Sequence, residues 1–299
     1  MLLELTPTPS PSRVSMHMHI DSHQHFWRYS AEDYPWIGAG MERIARDFLA
    51  VDLAAVAKPL GIGGSVAVQA RQSLEECRWL LDLAAADPLI RGVVGWVDLR
   101  SERVADDLAA LSHNPKFVGV RHVVQDEPDP RFVLGEDFVR GLRALHAFGL
   151  TYDLLLYPHQ LPAAVELVGM LPEQPFVLDH IAKPRITQGA TWEGFAGWRR
   201  DIEALAAHEN VSCKVSGMVT EAAWRNWKQS DFVPFLDVVF TAFGPDRLMF
   251  GSDWPVCLVA AEYAEVVGIV RDFFGEATAG EQAQIFGGTA TRFYGLTED

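Results

Sequence analysis

From residue 19 onward the chain alternates between two kinds of segment, and this alternation constrains the fold more than any single motif. One kind is short, apolar and rich in β-branched residues; the other carries apolar residues at helical spacing. Strand candidates fall at 19–21, 64–69, 92–98, 117–122, 151–156, 176–179, 211–215 and 248–251. Several are apolar throughout, the pattern of strands buried on both faces. Between them, Ser73-Leu74-Glu75-Glu76 reads as a capping box opening a helix with Leu74, Cys77, Leu81 and Ala84 on one face. Val104, Leu108 and Leu111 mark the next helix. Phe138, Leu142 and Leu145 mark another, with Gly149 placed as the glycine just past its end. Trp192, Phe195, Trp198, Ile202 and Leu205 form a stripe that reads as core packing, as do Phe232, Leu236, Val239 and Phe243, and then Tyr263, Val266, Val270 and Phe273. Thr278-Ala279-Gly280-Glu281 is a second capping box.

Strands alternating with helices imply βαβ units and a parallel sheet. Eight of them over ~280 residues predict one α/β domain, a single (β/α)8 TIM barrel spanning 19–296. A doubly wound open sheet is the alternative. Its Gly-rich turn after the first strand is absent, because Gly61-Ile62-Gly63-Gly64 precedes a strand instead. The opening residues, rich in Pro and Ser, read as a disordered N-terminal extension over 1–18, with no basic segment and apolar core of a signal peptide.

Composition bounds the partners. A formal net charge of −15 argues against a nucleic-acid or anionic-membrane surface. No apolar run approaches the ~20 residues that span a bilayer. Cys77, Cys213 and Cys257 have no CxxC spacing, and an odd number suits a reducing, cytoplasmic setting. The expected partner is a small molecule.

In such a barrel the chemistry sits where the strands end. His23 and His25 follow strand one; Gln69 and Arg71 strand two; Asp98 strand three; Arg121 and His122 strand four. Asp153, Tyr157 and His159 belong to strand five; Asp179, His180 and Lys183 to strand six; Lys214 and Ser216 to strand seven; Ser252 and Asp253 to strand eight. Residues i and i+2 of a strand point to one side, so His23 and His25 are expected to converge on one point. The segment from Phe26 to Val51 is long for a strand–helix connection and carries Phe26, Trp27, Tyr29, Tyr34 and Trp36. It reads either as a flap packed over the barrel end or as an aromatic wall of the site.

Asp21-Ser22-His23-Gln24-His25-Phe26-Trp27 resembles the opening of the amidohydrolase superfamily, in its amidohydrolase 2 branch. Val177-Leu178-Asp179-His180-Ile181-Ala182-Lys183-Pro184 is similar to that branch's strand-six motif, and Phe250-Gly251-Ser252-Asp253-Trp254-Pro255 to its strand-eight motif. Val118-Gly119-Val120-Arg121-His122 and the tail Phe293-Tyr294-Gly295-Leu296 also match, so the likeness runs from residue 19 to 296. Within the branch the pattern looks most like the sugar lactonases of the L-fuconolactone and L-rhamnonolactone type. Binuclear members carry a bridging lysine or glutamate after strand four, where this chain has Arg121-His122, and a histidine directly after strand five, where His159 comes late. A two-metal site is therefore not expected. The resemblance implies either no required metal or one divalent ion, with Zn²⁺ suited to His23, His25, His180 and Asp253.

A lactone suits so reduced a site. Its carbonyl is more electrophilic than an amide's, and its leaving alkoxide is tethered to the product. The expected roles follow: Asp253 as general base, then acid, and His23, His25 and His180 polarising the carbonyl. Gln69, Arg121, His122, Asp153 and Lys214 are expected to bind ring hydroxyls, with Trp27 stacking on the sugar. Arg121 and Asp153 could instead form a buried ion pair. No G-x-S-x-G elbow surrounds Ser252, so it is expected to play a local hydrogen-bonding role. The competing readings are a metal-dependent decarboxylase of aromatic acids, a hydrolase of a carboxylated aromatic-pathway lactone, and a non-catalytic sugar-binding barrel.

Overall fold

The computed structural model describes residues 18–297. Apart from Met18, the expected N-terminal extension lies outside the described residues; Met18 itself packs against the barrel interior. Eight strands form one sheet in sequential order, with every neighbouring pair parallel. They are β1 (His19–Gln24), β2 (Ile62–Val68), β3 (Ile90–Gly95), β4 (Phe117–His122), β5 (Thr151–Leu154), β6 (Phe176–Leu178), β7 (Val211–Val215) and β8 (Leu248–Phe250). The barrel closes beyond β8, where the Asp253 N–H donates to the His23 carbonyl (2.8 Å) and the His25 N–H to the Trp254 carbonyl (2.7 Å). The architecture is the (β/α)8 barrel that the alternation predicts.

Seven helices separate the strands: α1 (Ala50–Ala57), α2 (Leu74–Ala86), α3 (Val104–Leu111), α4 (Glu136–Ala147), α5 (Leu161–Met170), α6 (Phe195–Ala206) and α7 (Gln229–Phe243); α8 (Tyr263–Phe273), α9 (Ala279–Ala283) and α10 (Thr289–Tyr294) follow β8. Two of them, α1 and α5, leave no clear stripe in the sequence. Ala-Val-Asp-Leu-Ala-Ala-Val-Ala and Leu-Pro-Ala-Ala-Val-Glu-Leu-Val-Gly-Met are apolar nearly all round, so a buried face has no polar face to contrast with. Trp192 precedes α6 rather than belonging to it. Gly149 takes φ +66 just beyond α4, and the next N–H, of Leu150, returns to the Leu145 carbonyl (3.2 Å).

Strand alternation sorts the side chains into two cores. Tyr152, Leu154, Phe176, Leu178, Cys213, Val215, Leu248 and Phe250 face outward into the layer between sheet and helices. Ile20, Val66, Val68, Val94, Val118, Val177 and Met249 fill the barrel, where Ala290, Tyr294 and Leu296 from α10 and its tail join them. Each such aliphatic side chain contributes about 1.5–3 kcal/mol by leaving water. Above this apolar plug the inward positions turn polar. Asp153, Lys214, Asp179 and Arg121 form a buried charged layer with the His23 imidazole among them, and the site rests on it.

Candidate functional site

Strand β1 delivers the histidine pair. The i, i+2 spacing works as expected, with His23 Nε2 and His25 Nε2 3.3 Å apart. His25 Nδ1 lies 2.8 Å from the Val68 carbonyl of β2; that ring nitrogen carries the proton and Nε2 presents a lone pair. Asp253 comes from beyond β8 with a left-handed backbone, φ 57. Its Oδ1 sits 3.3 Å from His25 Nε2 and 3.9 Å from both His23 Nε2 and His180 Nε2. Ser252 does not face the site chemically. Its hydroxyl donates to Asp21 Oδ2 (2.6 Å), which also accepts from Tyr263 of α8 (3.1 Å), so Asp21 locks β1 to the β8 end.

His180 is positioned by an unusual backbone. His180, Ile181, Ala182 and Lys183 take φ 55, 49, 59 and 49 in succession, a left-handed turn built without glycine. Left-handed geometry costs such residues ~1–2 kcal/mol each. The turn is held by the Trp198 indole N–H on the Ile181 carbonyl (2.9 Å), by the Lys183 N–H on the His180 carbonyl (2.8 Å), and by Ser216 Oγ beside His180 Nδ1 (2.9 Å). Gly217 makes the room: a Cβ there would lie 2.4 Å from His180 Nδ1.

Burial is the largest influence on the imidazoles. It pushes His180 down to about 4 although Asp253 and Asp179 pull the other way. It also holds His23 well below its ordinary value, aided by Lys214 and His180 and opposed by Asp179. For Asp253 burial opposes the charge, but His180, His25 and His23 around it outweigh that and keep the carboxyl far below the usual range. Near neutral pH the site therefore holds an ionised Asp253 facing neutral His23 and His180.

Beneath lies the ion network. Asp179 Oδ2 pairs with Arg121 Nη1 (3.1 Å), and Asp179 Oδ1 with Lys214 Nζ (3.1 Å) and His23 Nδ1 (3.3 Å). Lys214 also pairs with Asp153 (2.5 Å), which accepts from the Tyr294 hydroxyl (3.0 Å). Arg121 and Asp153 are neighbours in register on β4 and β5. Arg121 nonetheless pairs with Asp179 and Asp153 with Lys214, so the alternative of an ion pair between Arg121 and Asp153 is replaced by two others.

A cavity of about 830 Å³ opens over this assembly, and of the residues singled out from sequence His25, Arg121, His180 and Asp253 form its floor. His23, Gln69, Asp153, Lys214, His122 and Trp27 do not line it, and His23 lies fully buried just beneath. Gln69 is buried and clamps Arg121, its Nε2–H donating to the Arg121 carbonyl (3.3 Å). Asp153 and Lys214 sit below His23, fully buried. His122 points out of the barrel because it alternates with the inward Arg121; it stacks on Phe132 and lies 2.7 Å from Glu127. Trp27 is sealed in the flap, pairing in an isolated bridge with Phe48 and donating to the Arg46 carbonyl (2.8 Å). Both readings of this segment hold in part, since Trp36 from the same flap lines the mouth, 39% exposed.

The sequence reading missed Thr220, Glu221 and Trp224, which line the wall from just beyond β7. Their place after a strand end was the available signal. It also missed Glu76. The Ser73 hydroxyl accepts from the Glu75 and Glu76 N–H groups, but the Glu76 carboxylate turns inward and accepts from Ala70 (3.0 Å) and Arg71 (2.8 Å), fixing the β2 loop. By contrast, the Thr278–Glu281 box closes in both directions. Burial pushes Glu76 from 4.5 up to about 7. A carboxyl raised on folding keeps its proton in the folded state after the unfolded chain has lost it. Its stabilisation is therefore full below pH 4.5 and is lost as pH rises to about 7. Glu76→Gln should flatten this part of the stability profile by about 3 kcal/mol, read as urea midpoints at pH 4.5 and 8. Parallel profiles for the two proteins would show that Glu76 does not titrate there.

Can these residues hold a metal? His23, His25 and Asp253 place three donor atoms within 4.8 Å of one another. Zinc–nitrogen distances near 2.1 Å make a tetrahedral edge of ~3.4 Å, which the two 3.3 Å edges match, while the third, His23 Nε2 to Asp253 Oδ1, is wider at 3.9 Å. His180, with Nε2 3.9 Å from Asp253 Oδ1, falls outside that set and groups instead with His23 and Asp179. Asp179 beside His23 Nδ1 is the outer carboxylate that orients a ligating imidazole. The donor set fits one zinc ion.

The model of the amidohydrolase family matches residues 20–296. The chain belongs to the amidohydrolase family. It is 45% identical to an L-fucono-1,5-lactonase of Burkholderia multivorans over 286 residues, covering 93% of this chain and 96% of that one. An L-fucono-1,5-lactonase of Burkholderia ambifaria is 35% identical over 92% of this chain and 94% of its own. A crystal structure of a Burkholderia multivorans amidohydrolase with bound zinc superposes with a TM-score of 0.90 at 45% identity, covering 94% of this chain and 100% of that one. These lactonases are hydrolases acting on ester bonds.

Proposed function

We propose that this family member hydrolyses a neutral sugar lactone, an L-fuconolactone-like aldonolactone, to the sugar acid. The observation that carries the reading is Asp253: an ionised carboxylate on the floor of the cavity with three imidazole nitrogens 3.3–3.9 Å from it. Asp253 takes a proton from water as the water oxygen bonds to the lactone carbonyl carbon. It returns that proton to the ring oxygen as the ring C–O bond breaks. The new carboxylic acid then ionises, so each turnover releases one proton. With Nδ1 accepting from Ser216, His180 keeps its proton on Nε2 and donates to the developing oxyanion. Arg121 adds positive charge from the floor.

His23 has two roles that its tautomers separate. With its proton on Nδ1, directed at Asp179, it offers Nε2 to a metal. With Nδ1 accepting from Lys214 (3.2 Å), it donates from Nε2 toward His25 and needs none. A zinc ion on His23, His25 and Asp253 would supply carbonyl polarisation, and His180 Nε2 would join them only with its proton moved to Nδ1.

The cavity wall supports a neutral substrate. Glu32, Asp33, Asp126, Glu127 and Glu221 line it, against Arg71 and Lys183, and Arg71 is already paired with Asp33 (2.8 Å). Arg121 on the floor is paired in turn with Asp179 (3.1 Å), so among the described lining residues Lys183 alone would be left to meet a carboxylated lactone or an aromatic acid. Cys77, Cys213 and Cys257 are free and buried, which supports a reducing, cytoplasmic setting. Among the described residues no helix is long and apolar enough to cross a membrane.

Acid release from L- and D-sugar 1,4- and 1,5-lactones, followed with a pH indicator, tests the reading. Turnover of at least one L-sugar lactone is expected. No release from any lactone, even with added Zn²⁺, overturns it and favours carbon dioxide release from an aromatic acid. Chelation then separates the tautomers: activity lost and restored by Zn²⁺ assigns the histidines as ligands, and chelator-resistant activity assigns them as hydrogen-bonding groups.

A further inference from the structure

Lys183 ends the left-handed turn that begins at His180, so one strained segment delivers two side chains to the cavity. Its Nζ lies 5.7 Å from the centre of the Tyr157 ring. Glu221 ends the short helix Val219–Glu221 beyond β7 and lines the same cavity. Burial raises the Glu221 carboxyl, and the Lys183 charge pulls it the other way. Among the described residues, however, no hydrogen bond or ion pair engages either side chain, with each other or with a third group. The wall beside His180 thus carries an ammonium with free donors and a carboxylate with free lone pairs.

A carboxylate-bearing ligand would meet Glu221 as a like charge, and a cationic one would meet Lys183. A neutral hydroxyl suits both, because it accepts at oxygen and donates its proton. Trp224, three residues past Glu221 and 37% exposed, adds an apolar face of the kind that packs on a sugar ring. We propose that Lys183 and Glu221 read two hydroxyl groups of the lactone ring, Lys183 donating to one oxygen and Glu221 accepting from the other. The pair thereby selects polyhydroxylated lactones over plain cyclic esters. This rests on the lactonase reading and assigns its substrate class to two residues.

The test compares the best sugar 1,5-lactone with δ-valerolactone, the same six-membered cyclic ester without hydroxyls. Wild type is expected to prefer the sugar lactone in kcat/KM. Hydrogen bonds to charged groups are worth a factor of about 10–100, so Lys183→Met and Glu221→Gln should each cut that preference by about 30-fold, chiefly through KM. Lys183→Arg should recover part of it. A preference that survives both substitutions overturns the assignment, as do equal losses on the two substrates, which would report structural damage. Wild type that cleaves both lactones equally refutes hydroxyl reading alone. Wild type that cleaves neither refutes lactone hydrolysis itself, and this inference with it.

Discussion

Asp253→Asn should bind sugar lactone as the wild type does and turn it over about 10³–10⁴-fold more slowly, the upper part of the range for a positioned general base. Asparagine keeps the size of the side chain and can still fill its corner among His25, His23 and His180. What it loses is the ability to take a proton. No neighbour can substitute. His25 Nε2 points at the same corner, but its ring is fixed by Nδ1 on the Val68 carbonyl and lies beside the base rather than in its place. His180 is held by burial at about 4 and is a weak base. The measurement is kcat and KM on the same lactone, with a competitive product acid to report binding. A kcat within tenfold of wild type would remove Asp253 from the base role and shift attention to water activated on a metal alone.

The alternation of strands and helices was legible because its signal is redundant, with eight apolar runs each bounded by a helical stripe. The convergence of His23, His25, His180 and Asp253 was legible for a related reason: i, i+2 spacing puts the first two on one side, and the ends of the sixth and eighth strands bring the other two to the same rim. Direction was harder elsewhere. His122 is adjacent to Arg121, and β alternation allows only one of them inside; the longer cation took the interior because Asp179 and Gln69 were there to satisfy it. Asp179 reaches Arg121 from two strands away, a choice made across the barrel that strand order alone does not reveal. Trp27 turned into the flap because its indole N–H finds the Arg46 carbonyl and its ring finds Tyr34 and Phe48. The left-handed turn at His180–Lys183 left no trace at all, since no glycine marks it. Lys183 could be assigned to the strand-six end from sequence, but not the wall it would share with Glu221.

Lys214→Met should destabilise the protein by about 3–5 kcal/mol, the cost of removing one partner from a buried ion pair. Methionine fills a similar volume, so the loss reports charge rather than a cavity. Asp153 and Asp179 both lose their shared cation, and only Arg121 remains to face them. Burial already pushes the Asp153 carboxyl up against the pull of Lys214; without that pull it rises further. A carboxyl raised on folding stabilises at low pH and loses that contribution as pH rises, so the deficit should be smaller at pH 5 than at pH 8. Urea unfolding at the two pH values measures this. Asp153→Asn in the same chain should return part of the loss, because it removes the charge left behind. A deficit below about 1 kcal/mol, or a double variant whose losses simply add, would mean that water or a shifted Arg121 already compensates the layer. The charged floor would then be a spacer under the histidines. If the coupling appears, the same network that holds the barrel's interior also sets the His23 tautomer, because Lys214 and Asp179 are the two groups at its Nδ1.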